Sequence, residues 1–163
     1  MIISTKKIVF GALVGALYAA LTLSIPFMSF LPNQLRVSEA LTILPYFSSY
    51  SIFGIFIGCV VANILSPYGA LDMVIGSLAS LIAAVLTYYI GKSSIKYKKL
   101  IAPMPAVIVN AVMIGFLITY STNTPFLANT ISVGLGELIS CYLLGLPLLL
   151  FIDKNDKLKK YLR

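Results

Sequence analysis

The chain has 163 residues, of which 60% are hydrophobic and only 10% are charged, and its net charge is +7. A soluble domain carries about 25% charged residues, so this composition excludes a water-soluble fold. It predicts an all-α integral membrane protein in which residues 1–163 form a single domain. The positive charge comes from lysines in connectors and tail, so we attribute it to topology and anionic-lipid contact, not to nucleic-acid binding.

The apolar runs predict six transmembrane helices, because a helix of about 20 residues crosses the hydrocarbon core. In chain order they lie at about 7–25, 37–48, 51–66, 71–91, 103–120 and 127–151. The second run is short, and a polar break at residues 48–51 separates it from the third. The first run has the features of a signal peptide, but apolar residues continue past Ala19 and Ala20, so we expect a retained helix.

Lysine and arginine fall almost entirely in three stretches: the N-terminal residues, the connector 92–99 and the tail after residue 153. An excess of these residues in short loops marks the cytoplasmic side of a membrane protein. Six spans place all three stretches on one side, whereas five would divide them between the two sides. We therefore predict six spans with both termini in the cytoplasm.

Small residues recur at four-residue spacing, which lets helices approach closely in lipid. Gly54 and Gly58 in the third span are expected to pack inside the bundle. The first span carries a longer small-residue face, for which internal packing and an external partner are both open. The residues of that face are Ala12, Ala16 and Ala20.

Six polar side chains within the apolar runs require an explanation, because an ionisable group at the bilayer centre costs about 3 kcal/mol and usually faces protein or a cavity. All but one fall in the outer half of the predicted membrane, which favours a solute pocket open to the outside. The six are Arg36, Glu39, Asn63, Asp72, Asn110, which lies near the middle, and Glu137. The aromatic residues expected beside the pocket are Phe27, Phe30, Tyr46 and Tyr68.

Structural roles compete with solute binding at these positions. Arg36 and Glu39 are three residues apart and can pair with each other. Asp72 can act as a helix cap, and the two asparagines can form interhelical hydrogen bonds. Glu137 is the hardest to assign to structure, because it follows two glycines at depth and has no cation nearby in the sequence.

Catalytic and metal-binding signatures do not occur in this sequence. It contains no His, no GxSxG and no HExxH motif, and no second acidic motif accompanies Gly134-Leu-Gly-Glu137. We therefore predict neither an enzyme nor a metal site. Cys59 and Cys141 lie in apolar runs, where cysteine usually behaves as a small hydrophobic residue.

Several segments resemble the QueT family of queuosine-precursor transporters, which are substrate-binding S components of energy-coupling factor (ECF) importers. These segments are Gln34-Leu-Arg-Val-Ser-Glu-Ala-Leu41, Leu44-Pro-Tyr-Phe47, Gly58-Cys-Val-Val-Ala-Asn63, Asp72 with Gly76-Ser-Leu-Ala79, and Gly134-Leu-Gly-Glu137 with Leu144-Gly-Leu-Pro147.

The resemblance implies an S-component bundle in a bacterial cell membrane that takes up 7-aminomethyl-7-deazaguanine. Energy would come from a separate transmembrane T component and two ATPases that use ATP. This chain has no P-loop and is expected to bind no cofactor itself. In S components the alanine face of the first helix docks on the T component, and the matching positions here are Ala12, Ala16 and Ala20.

The chemistry of this base suits the polar residues. Its N1–H and exocyclic amino group present two parallel donors to one carboxylate. Its aminomethyl cation requires a second carboxylate as its partner. We expect one of Glu39 and Glu137 to accept the ring edge and the other, or Asp72, to face the ammonium group. Which carboxylate does which is open, and the asparagine amides or Arg36 match the ring acceptors.

Three alternative functions stay open. The chain could be an S component for another small cationic or purine-like solute, a stand-alone secondary carrier, or a structural membrane subunit in which the polar residues hold helices together.

Overall fold

The computed structural model describes residues 5–30 and 35–162. Within these ranges all regular secondary structure is helical. In chain order the elements are α1 (Thr5–Ser24), α2 (Pro26–Phe30), a 3₁₀ helix (Val37–Tyr46), α3 (Tyr50–Asn63), α4 (Ala70–Lys92), α5 (Lys98–Ile101), α6 (Met104–Thr122), α7 (Phe126–Leu138), a π-helical segment (Ile139–Gly145), α8 (Leu146–Lys154) and α9 (Asp156–Leu162). Gln34, the first residue of one segment cited above, lies outside the described residues.

Four helical stretches of the described chain are long and apolar enough to cross a membrane. They are Thr5–Ser24, Ala70–Lys92, Lys98–Thr122 and Phe126–Lys154. These stretches correspond to the first, fourth, fifth and sixth predicted spans. The prediction of an all-helical, multi-pass membrane protein is therefore confirmed.

The second and third predicted spans are shorter elements. Residues Val37–Tyr46 form a 3₁₀ helix of 10 residues that includes Pro45, which has no N–H to donate to an α-helical hydrogen bond. A 3₁₀ helix rises about 2 Å per residue and so extends farther per residue than an α-helix. Helix α3 has 14 residues, fewer than the about 20 that span the hydrocarbon core. The count of six spans and the side on which the termini lie stay predictions.

Helices α1 and α3 are in direct backbone contact through their glycines. A Cβ atom at Gly54 would lie 2.2 Å from the carbonyl oxygen of Gly11, and one at Gly58 would lie 2.5 Å from that of Gly15. Glycine is therefore needed on both sides of this contact, and the Gly54–Gly58 pair packs internally as predicted. Ala12, Ala16 and Ala20 of α1 are all exposed, and Ala12 and Ala16 line a groove between α1 and α3.

The centre of the bundle is formed by α4 and the 3₁₀ helix. Helix α4 contacts α3, α6 and the 3₁₀ helix, and its Ala79, Ala83 and Ala84 are fully buried. The 3₁₀ helix also contacts α1 and the π-helical segment, so it is surrounded by other elements and buried from Ser38 to Pro45. This placement brings Glu39 into the interior.

Distant parts of the chain meet at one end of the bundle, which we call the lysine end. Lys7, Lys92 and Asp153 line the same cavity there, together with Tyr46 and Tyr50. The three lysine-bearing parts of the chain thus lie close together, as the sequence predicted. Tyr46, which was expected beside the solute pocket, lines this cavity, because the 3₁₀ helix that carries it ends at the lysine end.

Candidate functional site

The structure buries all six predicted site residues, and none is exposed by more than 2%. It divides them into two clusters. The arginine cluster consists of Arg36, Asn63 and Asp72. The glutamate cluster consists of Glu39, Asn110 and Glu137.

The arginine cluster is a network of hydrogen bonds and one ion pair, in which Asp72 Oδ1 is the atom left without a hydrogen-bond partner among the described residues. Arg36 Nη2 donates to Asn63 Oδ1 at 2.7 Å and lies 3.6 Å from Asp72 Oδ2. Asn63 Nδ2 donates to the backbone oxygen of Asp72 at 3.0 Å, and Ser66 Oγ donates to Asp72 Oδ2 at 2.5 Å. The guanidinium group is thus matched by a carboxylate and an amide oxygen.

Two further contacts hold Arg36 in place, and its ion pair differs from the one considered from the sequence. Arg36 Nε donates to the backbone oxygen of Ser29 at 3.3 Å, and the guanidinium lies 5.3 Å from the centre of the Phe30 ring. Among the described residues the ion-pair partner of Arg36 is Asp72, not the neighbouring Glu39. Asp72 lies in the first turn of α4, but no side chain caps this helix at Gly69.

Gly76, one turn after Asp72 on α4, leaves the space that the arginine cluster occupies. A Cβ atom there would lie 2.5 Å from Asp72 Oδ1 and 2.7 Å from Asn63 Nδ2. Any larger residue would displace one of these two polar groups, so the cluster depends on glycine at this position.

The glutamate cluster joins α1, the 3₁₀ helix, α4, α6 and α7. The Tyr18 hydroxyl donates to Glu39 Oε1, and Ser80 Oγ lies 3.4 Å from the same oxygen. The Asn110 amide on α6 interacts with both Glu39 and Glu137. The two carboxylates therefore both lie beside Asn110.

Glu137 has weaker partners than Glu39. The thiol of Cys141 lies 3.7 Å from Glu137 Oε2, and a thiol is a weak donor. Helix α7 ends one residue after Glu137 and continues as the π-helical segment from Ile139. Such π-helical turns are frequent at functional sites.

Several polar atoms in the glutamate cluster have no hydrogen-bond partner among the described residues. These atoms are Glu39 Oε2, Glu137 Oε1 and the adjacent Ser140 Oγ. Neither glutamate forms an ion pair in the described part of the chain. Buried polar groups are almost always hydrogen-bonded, and an unpaired buried carboxylate costs several kcal/mol. The arrangement is therefore suited to a ligand that brings a positive charge and N–H donors.

The remaining predicted neighbours contribute little to this site. Phe27 is 83% exposed, and Phe30 contacts Arg36 in the other cluster. A Cβ atom at Gly134 would lie 3.3 Å from the Cβ of Ala111 on α6, so this glycine permits helix packing. Cys59 and Cys141 are both free and buried, and within residues 5–30 and 35–162 no group of three His, Cys, Asp or Glu side chains could hold a metal ion.

Tyr18 and Ser80 are the contacts of Glu39 that sequence reasoning missed. Tyr18 is fully buried although its helix is otherwise apolar and small in character. The sequence offered one signal for a polar face on α1, because Thr22 lies one turn after Tyr18. In the structure Thr22 Oγ1 lies 2.7 Å from Ser38 Oγ. Ser80 carries no comparable signal in the sequence.

Comparison with known proteins shows that residues 8–154 match the family described as QueT transporter. The chain belongs to the QueT transporter family. Its members are transporters, so the chain is a multi-pass cell-membrane protein and not an enzyme. No solved structure matches it.

One relative is similar over part of its length. The queuosine precursor transporter QueT of Lactococcus lactis subsp. cremoris (strain MG1363) is 38% identical over 80 residues. The match covers 48% of this chain and 47% of the relative, so the chain spans about half the length of the relative it matches.

Proposed function

We propose that this chain is the S component of an ECF importer and that it captures 7-aminomethyl-7-deazaguanine from outside the cell. The observation that supports this most directly is the pair of buried carboxylates, Glu39 and Glu137, each with one oxygen that lacks a partner among the described residues. The relative named a queuosine precursor transporter supports the class of solute.

The geometry favours a particular assignment of the two carboxylates. Glu39 Oε1 already accepts from Tyr18 and lies near Ser80, which leaves Oε2 for a single contact. Glu137 has only the weak Cys141 thiol and Asn110 nearby, so both its oxygens are more accessible to a ligand. We therefore assign the two parallel donors of the ring edge to Glu137 and the ammonium group to Glu39.

The arginine cluster has a different role in this proposal. Asp72 pairs with Arg36, and Asn63 bonds to both residues. Asp72 Oδ1 has no hydrogen-bond partner among the described residues, but the charge of this carboxylate is paired with Arg36, so it has less to offer a cationic group. We therefore place the ammonium group at a glutamate in preference to Asp72 and regard the arginine cluster as the structural support of the pocket.

Solute entry requires a conformational change. Glu39 and Glu137 are both fully buried in this structure, so it represents a closed form of the pocket. Because an ECF importer must bind its solute from one side of the membrane and release it on the other, we expect an open form as well.

We propose six membrane crossings with both termini in the cytoplasm. Lys7, Tyr46, Tyr50 and Lys92 all line the cavity at the lysine end, so the chain returns to this end through the 3₁₀ helix and leaves it again along α3. The short second and third spans then bring the number of membrane crossings to six. The positive-inside rule places the lysine end in the cytoplasm.

The T component is proposed to dock on the alanine face of α1, and two separate ATPases supply the energy. Ala12, Ala16 and Ala20 are exposed, as docking requires. Replacing Ala12 or Ala16 with Trp should abolish co-purification with the T component while solute binding persists. Val112→Trp on α6 is the matched control, since Val112 is also exposed, at 48%. Unchanged assembly of both α1 variants would disprove this docking face.

The decisive test of the function is calorimetric titration of purified protein with the deazaguanine. We expect one solute per chain and micromolar or tighter affinity. A folded protein that does not bind at micromolar solute would instead be a structural subunit. Competition with the nitrile relative of the base and with other purines would define the preferred solute.

Uptake into vesicles separates an S component from a secondary carrier. We expect uptake only when the T component, both ATPases and ATP are present. Uptake by this chain alone would favour the carrier.

A further inference from the structure

The cavity at the lysine end has a volume of about 680 Å³ and is strongly basic. Lys7, Lys92, Lys98 and Lys99 line it, and Asp153 is the one acidic residue among its described lining residues. These side chains come from α1, α4, α5 and α8, so the tertiary fold brings them together. The solute pocket contains none of them.

Most of these ammonium groups lack a carboxylate partner. Asp153 pairs with Lys99 at 2.5 Å. Lys98 Nζ donates to the backbone oxygens of Gly91 and Ser93 at 3.1 and 3.0 Å. Within the described ranges no ion pair involves Lys7, Lys92 or Lys98. The cavity therefore carries uncompensated positive charge suited to a phosphate group.

Aromatic rings position three of these lysines, and Lys98 Nζ lies 5.9 Å from the centre of the Tyr46 ring. Lys7 Nζ lies 5.0 Å from the centre of the Tyr50 ring, and Lys92 Nζ lies 5.5 Å from that of Tyr88. Such cation–π contacts hold an ammonium group in place while leaving its N–H donors available.

An apolar groove of about 500 Å³ continues from this cavity between α1 and α3. Lys7 and Tyr50 line both the cavity and the groove. The glycines at the contact between the two helices form the floor of the groove, and exposed apolar side chains such as Ile8 and Phe53 form its walls.

The length of the groove fits one acyl chain. Its lining runs along α1 from Lys7 to Ala19, which at about 1.5 Å per residue corresponds to about 18 Å. One leaflet of the hydrocarbon core is about 15 Å thick, half of the about 30 Å total.

We infer that this cavity and groove together bind one anionic phospholipid, with its phosphate among Lys7, Lys92 and Lys98 and one acyl chain between α1 and α3. The continuity of the two spaces favours this occupant. A free anion would use only the lysines, and a helix of another protein would use only the groove. Because the groove includes Ala12 and Ala16, the lipid would occupy it in the unassembled subunit.

Native mass spectrometry of the full chain in neutral detergent tests the inference, with phosphatidylglycerol and phosphatidylcholine of identical acyl chains as probes. We expect one phosphatidylglycerol to bind at least tenfold more tightly than phosphatidylcholine, because each lysine near an anionic headgroup contributes about a fivefold gain. The double variant Lys7→Gln/Lys92→Gln should remove most of this preference. Lys157→Gln/Lys160→Gln, which neutralises two exposed lysines of α9, should retain it.

Two further measurements separate the lipid from a free anion. Ala16→Leu, which narrows the groove, should weaken phosphatidylglycerol binding severalfold, and millimolar inorganic phosphate should not displace the lipid. Equal affinity for the two lipids, an equal loss in the α9 variant, full displacement by inorganic phosphate, or indifference to Ala16→Leu would each overturn the inference. None of these results depends on the identity of the transported solute, so failure here leaves the proposed function untouched.

Discussion

The arginine cluster and the glutamate cluster are equally buried, but they differ in whether their carboxylates are paired with a cation. In the arginine cluster a cation, a carboxylate and an amide meet within 3.6 Å. Ser66 and Ser29 add hydrogen bonds, although Asp72 Oδ1 has no partner among the described residues. In the glutamate cluster two carboxylates share Asn110 and have no cation paired to them in the described chain.

This difference shows why burial by itself does not identify a binding site. Both clusters place ionisable groups in a membrane interior, where they are costly. The arginine cluster compensates its charges internally, so it stabilises the contact between the 3₁₀ helix, α3 and α4. The glutamate cluster leaves acceptors available, and a cationic solute would compensate them.

The largest effect is expected from Asp72→Ala in the arginine cluster. The substitution leaves the Arg36 guanidinium buried without its carboxylate, which should lower the free energy of unfolding by about 3–5 kcal/mol. Denaturant or thermal unfolding in detergent measures this. The control is Asp156→Ala, because Asp156 is 94% exposed and should contribute almost nothing.

A double variant refines the same prediction. Arg36→Met combined with Asp72→Leu removes both charges and should recover much of the lost stability. If Asp72→Ala unfolds like the parent protein, the arginine cluster does not have the structural role assigned to it.

Glu137→Gln should weaken solute binding without lowering stability, the reverse of the effect expected from Asp72→Ala. It replaces one acceptor oxygen with a donor that faces the donors of the base. The affinity for the deazaguanine should fall by about 1.5–3 kcal/mol, or roughly ten- to a hundredfold. Stability should stay the same or rise, because a buried charge is removed.

Calorimetric titration measures this loss of affinity, with Asp156→Asn as the isosteric control in the tail. Glu39→Gln should also weaken binding. Parental affinity in both glutamine variants would show that the solute pocket is elsewhere in the molecule.

Gly76→Ala tests the close packing around the arginine cluster. The added methyl group would lie 2.5 Å from Asp72 Oδ1, and such overpacking should cost about 1–3 kcal/mol of unfolding free energy. Val74→Ala on the same helix is the control, since Val74 is 54% exposed. A thermal shift equal to that of the control would mean that the polar groups can rearrange around the methyl group.

The smallest effect is expected from Tyr18→Phe. Glu39 then loses its hydroxyl donor and becomes less well positioned, which should reduce solute affinity by about 0.5–1.5 kcal/mol, or roughly two- to tenfold. Tyr120→Phe is the control, because Tyr120 is 68% exposed and its ring contact with Phe116 is preserved. Should Tyr18→Phe reduce stability but leave affinity unchanged, Tyr18 would belong to the packing of α1 and not to the pocket.

Composition and local pattern were enough to predict the membrane class, the four long helices and the meeting of the lysine-bearing segments at one end. Hydropathy is a nearly additive property of successive residues, so a linear sequence displays it directly. The resemblance of short segments also identified the QueT family, which the match over residues 8–154 confirms. The same reasoning selected six polar residues, all of which the structure buries.

Only the tertiary structure decided which of these polar residues lie together. Arg36 could have paired with Glu39, three residues away, but the packing of the 3₁₀ helix against α3 and α4 turns it towards Asn63 and Asp72. Glu39 instead accepts a hydrogen bond from Tyr18 and lies beside Asn110, which also interacts with Glu137. Ion pairs and hydrogen bonds act over a few ångströms between groups that are far apart in sequence, so their formation depends on the relative placement of helices, which no local pattern encodes.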